Sequence, residues 1–263
     1  MKTSYLTLAA AVSLAFSTAA HAVPQLQLDI FNGEYNTTTE TVVATTNPFT
    51  LYTYLQESTQ NAAGDTYALS MAITPKTTIG GDFGFFTFKY NGGAAVTVDV
   101  TDDMVFGVPP LESAATQLAD PGDLPDHDIF DTYFFEYAFN FTGAATSGEY
   151  DTADVDDTGQ GPISPAAKNM LYRAFEIDIS GLDETLALHF DLYNRKICTE
   201  DDKGQCKIVD DVDVAWSAPF SHDAESGGDG DGDDETVPEP GSLLLIGGGL
   251  LGLWASRRKW NAA

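Results

Sequence analysis

Alternation of apolar and polar side chains is the feature that most limits how this chain can fold. The clearest run lies at residues 186–192, where Leu186, Leu188, Phe190 and Leu192 alternate with Ala187, His189 and Asp191. Successive side chains of a β-strand point to opposite faces, so this run has one apolar and one polar face. Such strands are typical of antiparallel sheets with one face on the core and the other in water. The pattern therefore predicts that His189 faces solvent.

The same alternation recurs along most of the chain and indicates a β fold. It appears at residues 26–30, 86–90, 96–100, 175–179 and 212–216. Helical signals are few: residues 50–55 are ambiguous, and Ser164-Pro165 can cap a short helix ending near Tyr172. A stretch of about 200 residues is enough for one all-β domain. We predict an all-β fold consisting of a single antiparallel β-sandwich, jelly-roll-like in type.

The first 22 residues have the parts of a secretory signal peptide. Lys2 supplies a positive charge, residues 6–20 form an apolar run, and Ala20-His21-Ala22 offers the small residues that a signal peptidase reads. Cleavage after Ala22 gives a mature chain that begins at Val23. The apolar run is shorter than the about 20 residues of a spanning helix, so an uncleaved anchor is the less favoured alternative.

The C-terminal end carries a second signal in three parts. They are the motif Val237, Pro238, Glu239, Pro240, then an uncharged apolar segment at residues 243–255, and then the basic cluster Arg257, Arg258, Lys259. The prolines keep the motif extended, and the basic cluster stays on the cytoplasmic side of a membrane. We expect the apolar segment to form a short C-terminal transmembrane helix. Its glycines and its length suit a transient stop in the membrane.

Motif, apolar span and basic cluster in this order resemble the PEP-CTERM sorting signal of Gram-negative bacteria. The resemblance covers residues 237–259. It implies recognition and cleavage by an exosortase-like enzyme during a transient stay in the inner membrane. It further implies delivery to the cell surface or the extracellular matrix. The alternative is a plain C-terminal membrane anchor with a chance Pro-Glu-Pro motif.

Composition changes sharply near the end of the exported part. Residues 225–236 are almost entirely Gly, Asp and Glu, a composition that keeps a chain flexible and extended. We therefore predict four parts. They are a signal peptide at residues 1–22, an exported β-sandwich domain at 23–224, an acidic Gly/Asp linker at 225–236 and a sorting tail at 237–263.

Negative charge dominates the exported part. Four of the 12 basic residues lie in the two end signals, whereas all 40 acidic residues lie between Val23 and Pro240, giving that part a net charge of −32. This charge opposes binding to nucleic acid and to anionic lipid, and it favours solubility and attraction of cations. Plentiful aromatic residues in alternating patterns nevertheless indicate a folded core.

The order of the parts also resembles that of exported choice-of-anchor proteins, in which similar domains are joined to different sorting tails. Short segments at residues 24–30, 106–110 and 219–224 look like the choice-of-anchor N type. This resemblance supports a single exported domain and implies no biochemical activity.

The two cysteines, Cys198 and Cys206, lie in the exported part, where disulfides persist. They flank a polar, glycine-containing loop between two strand patterns. We predict a hairpin closed by a Cys198–Cys206 disulfide. Two soft ligands alone do not make a zinc site, and a redox pair is expected at the closer Cys-x-x-Cys spacing.

Three histidines remain after signal cleavage, namely His127, His189 and His222, and each stands near an acidic residue. A hydrolase would need one of them beside a nucleophile such as Ser221. The chain has no Gly-x-Ser-x-Gly elbow, and adjacent strand residues point to opposite faces. Polar-face or loop histidines are the favoured interpretation. A metal site built from the three histidines has no supporting spacing.

Calcium is the better cofactor candidate. Asp151, Asp154, Asp156 and Asp157 are closely spaced before Gly159, and Ca²⁺ prefers clustered oxygen ligands. The spacing departs from that of an EF-hand loop, so solvated loop acids are favoured and structural calcium is the alternative.

Aromatic residues offer one more candidate site. Trp216 and the run at residues 133–137 could form a platform for sugars, although aromatic strand residues are more often core. We predict a non-enzymatic exported surface or matrix protein, with signal peptidase and an exosortase-like enzyme as processing partners. The alternatives are a calcium- or carbohydrate-binding surface module with an extracellular polysaccharide as partner and, less favoured, a secreted hydrolase.

Overall fold

The computed structural model describes residues 24–115, 130–163, 169–200, 206–212, 217–219 and 222–227. Fifteen strands and one short helix follow the chain within these ranges. The strands are β1 (Leu26–Ile30), β2 (Glu34–Asn36), β3 (Thr41–Val43), β4 (Phe49–Leu55), β5 (Tyr67–Thr74), β6 (Phe85–Tyr90), β7 (Ala95–Asp99), β8 (Val105–Gly107), β9 (Thr132–Phe139), β10 (Ala145–Ser147), β11 (Met170–Asp178), β12 (Ala187–Asn194), β13 (Lys196–Glu200), β14 (Cys206–Asp210) and β15 (Ala224–Glu225). Helix α1 (Pro110–Ala115) lies between β8 and β9.

The strands form two large sheets and a separate hairpin. The first sheet has the order β1-β4-β11-β6-β7, with β10 paired to β11, and its pairs are antiparallel. The second sheet has the order β2-β3-β15-β12-β5-β9-β8. Its pairs are antiparallel except for β3 and β15, which run parallel. Strands β13 and β14 form the hairpin.

One apolar core lies between the two large sheets. Leu188 and Phe190 of β12 are fully buried in it, as the alternation predicts. The rings of Phe49 in the first sheet and Phe190 in the second meet edge to face, with centroids 6.0 Å apart. The predicted all-β fold with two sheets around one core is therefore confirmed, whereas its jelly-roll-like type stays a prediction. The prediction of purely antiparallel sheets is wrong at one place, because β3 pairs with β15 in parallel.

Local sequence patterns predict most of the strands correctly, but the helix that they predict from Ser164 is not correct throughout. The ambiguous stretch at residues 50–55 falls within β4. The predicted helix that begins at Ser164 is wrong in its second half, because residues 170–172 belong to β11 and pair with β10 and β4. Residues 164–168 and 213–216 lie outside the described residues, and Val212 lies outside any strand. Sheet pairing outweighs the local capping signal at residues 170–172.

The polar faces of two strands are buried, which corrects the expectation that they meet water. Gln27 and Asp29 on β1 are 0% exposed, and His189 and Asp191 on β12 are 5% and 1% exposed. The alternation of faces is correct, but each of these outer faces is covered by other parts of the chain. The prediction that His189 faces solvent is therefore wrong.

The second sheet continues beyond residue 224, the predicted end of the domain. Glu225 belongs to β15, and Ser226 is buried. The Oγ atom of Ser226 accepts a hydrogen bond of 2.8 Å from the backbone N–H of Leu188. The fold thus includes the first residues of the predicted linker, whose remainder from residue 228 lies outside the described part.

Candidate functional site

The residues of the two predicted export signals lie outside the described part of the chain. They are residues 1–22, the motif Val237, Pro238, Glu239, Pro240, the segment 243–255, and Arg257, Arg258 and Lys259. Among the described residues, no helix has the length and apolar character needed to cross a membrane. Signal-peptide cleavage and the C-terminal transmembrane helix therefore stay predictions.

The acidic loop, residues 151–157, turns two of its carboxylates toward its own backbone. Asp151 Oδ1 accepts a hydrogen bond from Ala153 N, and Asp154 Oδ1 accepts one from Asp156 N, each at 3.0 Å. Asp154 and Asp156 are exposed. Among the described residues, Asp151, Asp154, Asp156 and Asp157 do not supply three ligand atoms within 4.8 Å of one another. Structural calcium at this loop stays an untested prediction.

Two buried polar side chains of β1 hold the segment around the acidic loop against the first sheet. Asp29 accepts hydrogen bonds from the backbone N–H groups of Gly159, at 2.9 Å, and Gly161, at 3.2 Å. Gln27 donates its side-chain amide to the carbonyl oxygen of Tyr150 at 2.9 Å. Burial raises the pKa of Asp29, and the bonds from Gly159, Tyr150 and Gly161 offset part of that rise. The polar positions of β1 therefore anchor a loop instead of meeting water.

The predicted hairpin is present around residues 201–205. In its register, Cys198 of β13 lies opposite Ile208, and Cys206 of β14 lies opposite Glu200. The two cysteines thus occupy diagonal positions in the hairpin. Their side chains lie outside the described part of the structure, so the disulfide stays a prediction.

The two described histidines contact different acids. His222 Nε2 lies 2.7 Å from Asp151 Oδ1, which ties residue 222 to the acidic loop. His189 Nε2 lies 3.4 Å from Asp191 Oδ1 and 3.7 Å from Asp223 Oδ2. His127 and Ser221 lie outside the described residues, so the hydrolase alternative is untested.

A buried cluster of ionisable groups surrounds His189 on the outer face of the second sheet. One ligand atom each from Glu112, His189 and Asp191 lies within 4.8 Å of the other two, and all three residues are buried. Burial, followed by the nearby charge of Asp191, raises the pKa of Glu112 to about 8. The His189-Phe190-Asp191 spacing was a visible signal in the sequence, but the expected register placed it in water. No sequence pattern indicates Glu112 as a member of this cluster, because α1 and β12 come together only in the folded chain.

The aromatic run at residues 133–137 lies in β9, and every second residue of it packs inward. Tyr133 is 4% exposed, and the ring of Tyr137 meets Phe88 of the first sheet edge to face at 5.0 Å. Tyr133, Phe135 and Tyr137 therefore belong to the core, whereas Phe134 and Glu136 alternate with them on the outer face beside Ala72 and Ser70. Trp216 lies outside the described residues.

A groove of about 360 Å³ lies on the outer face of the first sheet. Phe31, Thr87, Lys89, Glu176 and Asp178 are among its lining residues. Phe31 is 48% exposed, and Lys89 Nζ forms a 2.9 Å ion pair with Glu176 at the surface. An exposed ring beside charged and hydroxyl groups can contact a sugar face and its hydroxyls. Sequence missed this groove because its residues come from separate strands.

Comparison with known proteins identifies the C-terminal tail. Residues 236–259 match the family model of the PEP-CTERM protein-sorting motif, which confirms that predicted motif. No curated protein and no solved structure is significantly similar to this chain, and the resemblance to choice-of-anchor N proteins is not shown. A PEP-CTERM motif implies export and processing by exosortase-like machinery. The chain therefore carries the sorting motif of exported, membrane-passing surface proteins of Gram-negative bacteria.

Proposed function

We propose that this chain is a non-enzymatic protein of the cell surface or extracellular matrix, released to its place by exosortase-like cleavage of its tail. The observation that carries this proposal is the match of residues 236–259 to the sorting motif. The β-sandwich is then the exported cargo. In this scheme signal peptidase cleaves after Ala22, and residues 243–255 hold the chain in the inner membrane until the second cleavage.

The charge of the exported part supports this location. Its 40 acidic residues exceed its basic residues several-fold, so copies repel one another and remain soluble once the tail is removed. The same charge disfavours adsorption to anionic lipid, so the domain stands away from a membrane surface. An acidic linker between domain and tail keeps the motif accessible to a membrane-bound enzyme.

The positions of the described histidines support a non-enzymatic role. His189 is 5% exposed and His222 is 6% exposed, and each lies against carboxylates of the fold. General acid–base catalysis needs a group within hydrogen-bond reach of a substrate. Side chains this deeply buried are better placed to connect parts of the fold.

Intact-mass analysis of the surface fraction tests the proposal. The chain is expressed in two otherwise identical Gram-negative hosts, one with an exosortase and one without. We expect a product that begins at Val23 and lacks residues 243–255 only in the first host. Replacing Pro238 and Glu239 together with Ala should block processing, whereas the matched change Glu235→Ala, just upstream of the motif, should not. An unprocessed C-terminus on surface protein of the first host would overturn the proposal.

A second candidate function, binding of an extracellular polysaccharide, is favoured by the groove beside Phe31. Its half-exposed ring and the neighbouring Lys89–Glu176 pair offer an apolar face and polar edges. Calorimetric titration with purified matrix polysaccharide tests this function. Phe31→Ala should weaken binding by about tenfold, the loss expected for about 1.4 kcal/mol of contact energy. The matched change at Ile79, an exposed residue that does not line the groove, should leave binding intact.

A further inference from the structure

Two polar side chains of β12 rise from the outer face of the second sheet. His189 and Asp191 are two residues apart and share that face, while Phe190 between them enters the core. Their register partners on β5 are Ala72 and Ser70. Because residues opposite each other in an antiparallel pair share a face, these small side chains leave room above the sheet beside the polar pair.

Helix α1 closes over this space. Leu111 is 1% exposed and packs with Ala68 and Tyr193 in an apolar cluster on the same outer face. Glu112 follows directly, and a carboxylate oxygen of Glu112 comes within 4.8 Å of ligand atoms of both His189 and Asp191. Packing of Leu111 thus places a third ionisable side chain beside the pair and buries it.

The spacing of these atoms fits a small cation. His189 Nε2 and Asp191 Oδ1 are 3.4 Å apart. Nitrogen and oxygen ligands bound tetrahedrally at about 2.0–2.2 Å stand roughly 3.4 Å from each other. His189 and Asp191 therefore already have the separation of two ligands on one ion, and the 4.8 Å limit leaves Glu112 a small movement to join them.

Two buried oxygen atoms at this place accept no hydrogen bond from any described residue. One is Oε2 of Glu112, a residue that is 7% exposed, and the other is Oγ of Ser70, which is 0% exposed. A buried carboxylate oxygen without a partner is costly, because it has lost its water and gained nothing in return. A cation bound between Glu112 and the polar pair on β12 would give Oε2 a positively charged partner.

We propose that Glu112, His189 and Asp191 together bind one divalent transition-metal ion, for which Zn²⁺ is the best match. One imidazole nitrogen with carboxylate oxygens suits zinc, whereas calcium takes about six to eight oxygen ligands. Asp223 Oδ2 lies 3.7 Å from His189 Nε2, but Asp223 does not belong to the group whose ligand atoms all lie within 4.8 Å of one another. The three ligands are buried, so the ion has a structural role and ties α1 to β12.

The competing arrangement is a proton shared by Glu112 and Asp191. The carboxyl groups of Glu112 and Asp191 are within hydrogen-bond reach of each other, and such a bond needs a proton on one of them. A metal ion binds the deprotonated ligand and releases that proton. Either arrangement reduces the buried negative charge, but only one of them depends on zinc.

Zinc titration of the full-length chain, purified without a histidine tag and stripped with a chelator, distinguishes the two. We expect one Zn²⁺ per chain by calorimetry, and a rise in melting temperature with Zn²⁺ that equal Ca²⁺ does not give. Co²⁺ in place of Zn²⁺ should give the visible absorption of a tetrahedral site. Glu112→Gln and His189→Gln should each weaken Zn²⁺ binding by at least about 100-fold. Asp154→Asn, in the exposed acidic loop, is the matched control and should bind as the wild type does.

Three outcomes would overturn the proposal. The first is a folded wild-type chain that binds no stoichiometric Zn²⁺, which would favour the shared proton. The second is unchanged Zn²⁺ binding in both Glu112→Gln and His189→Gln. The third is loss of binding in Asp154→Asn, which would move the ion to the acidic loop. The first outcome is decided by the wild-type chain alone, so it does not depend on the folding of any variant.

Discussion

The hydroxyl of Tyr150 donates a hydrogen bond of 2.8 Å to the buried carboxylate of Asp29. This bond joins the segment that leads into the acidic loop to the first strand of the sandwich. The same hydroxyl lies beside that of Tyr54, and the two rings meet edge to face with centroids 5.3 Å apart. The polar face of β1, which alternation alone assigns to solvent, is therefore an internal contact surface.

Replacing Tyr150 with Phe should lower the free energy of unfolding by about 1–3 kcal/mol, because Asp29 loses a buried hydrogen-bond donor. Urea unfolding followed by fluorescence measures the change. Tyr52→Phe is the matched control, since Tyr52 packs against the same aromatic cluster and its hydroxyl makes no hydrogen bond to a described residue. Equal losses in the two variants would show that the bond to Asp29 contributes nothing specific.

The register of β12 can be tested by two neighbouring substitutions. Leu188→Asp should prevent folding, because it places a charge in the core, where Leu188 is 0% exposed. His189→Ala should also destabilise the protein, by about 3 kcal/mol, because it leaves buried carboxylates without the imidazole. Thermal melts measure both, with Lys89→Ala at the surface as the control. A silent His189→Ala would place His189 in water and contradict the buried cluster.

Sequence predicts the sandwich because the core-facing residues of each strand are consistently apolar. The sequence does not predict the exposure of the outer faces, because the polar residues of β1 and β12 form the same alternating pattern whether water or another segment of the chain covers them. A six-residue helix lies over the outer face of β12, and its Leu111 packs against the small side chain of Ala68. No local sequence pattern predicts that contact. The sorting tail was predictable because its parts are contiguous, whereas the cluster of Glu112, His189 and Asp191 exists only after folding.

Stability should depend on pH through Asp65. Burial alone would raise the pKa of this carboxyl, but hydrogen bonds from Lys196 at 2.9 Å, from Ala62 N and from Asn194 outweigh it and lower the pKa below 3.8. A folded-state pKa below the unfolded value means that the ionised form is stabilised by folding. This contribution is fully present above pH 3.8 and is lost as the pH falls through the lowered pKa.

Asp65→Asn should therefore destabilise the protein at pH 7, and its deficit relative to wild type should shrink as the pH falls below 3.8. Urea unfolding of both proteins across that range gives the difference directly. Asp102→Asn, at an exposed carboxyl that makes no hydrogen bond to a described residue, serves as the control. A deficit that stays constant or grows on acidification would refute the assigned role of Asp65.

The hairpin of β13 and β14 should be closed by a disulfide between Cys198 and Cys206. The two residues stand on either side of residues 201–205, and they are the two cysteines of the chain. A bridge over so short a loop should stabilise the protein by on the order of 2–3 kcal/mol, because it restricts the unfolded chain. Thiol-blocking reagent added to the unfolded protein should modify neither cysteine before reduction and both after it. Modification of both without reduction would show that the bridge does not form.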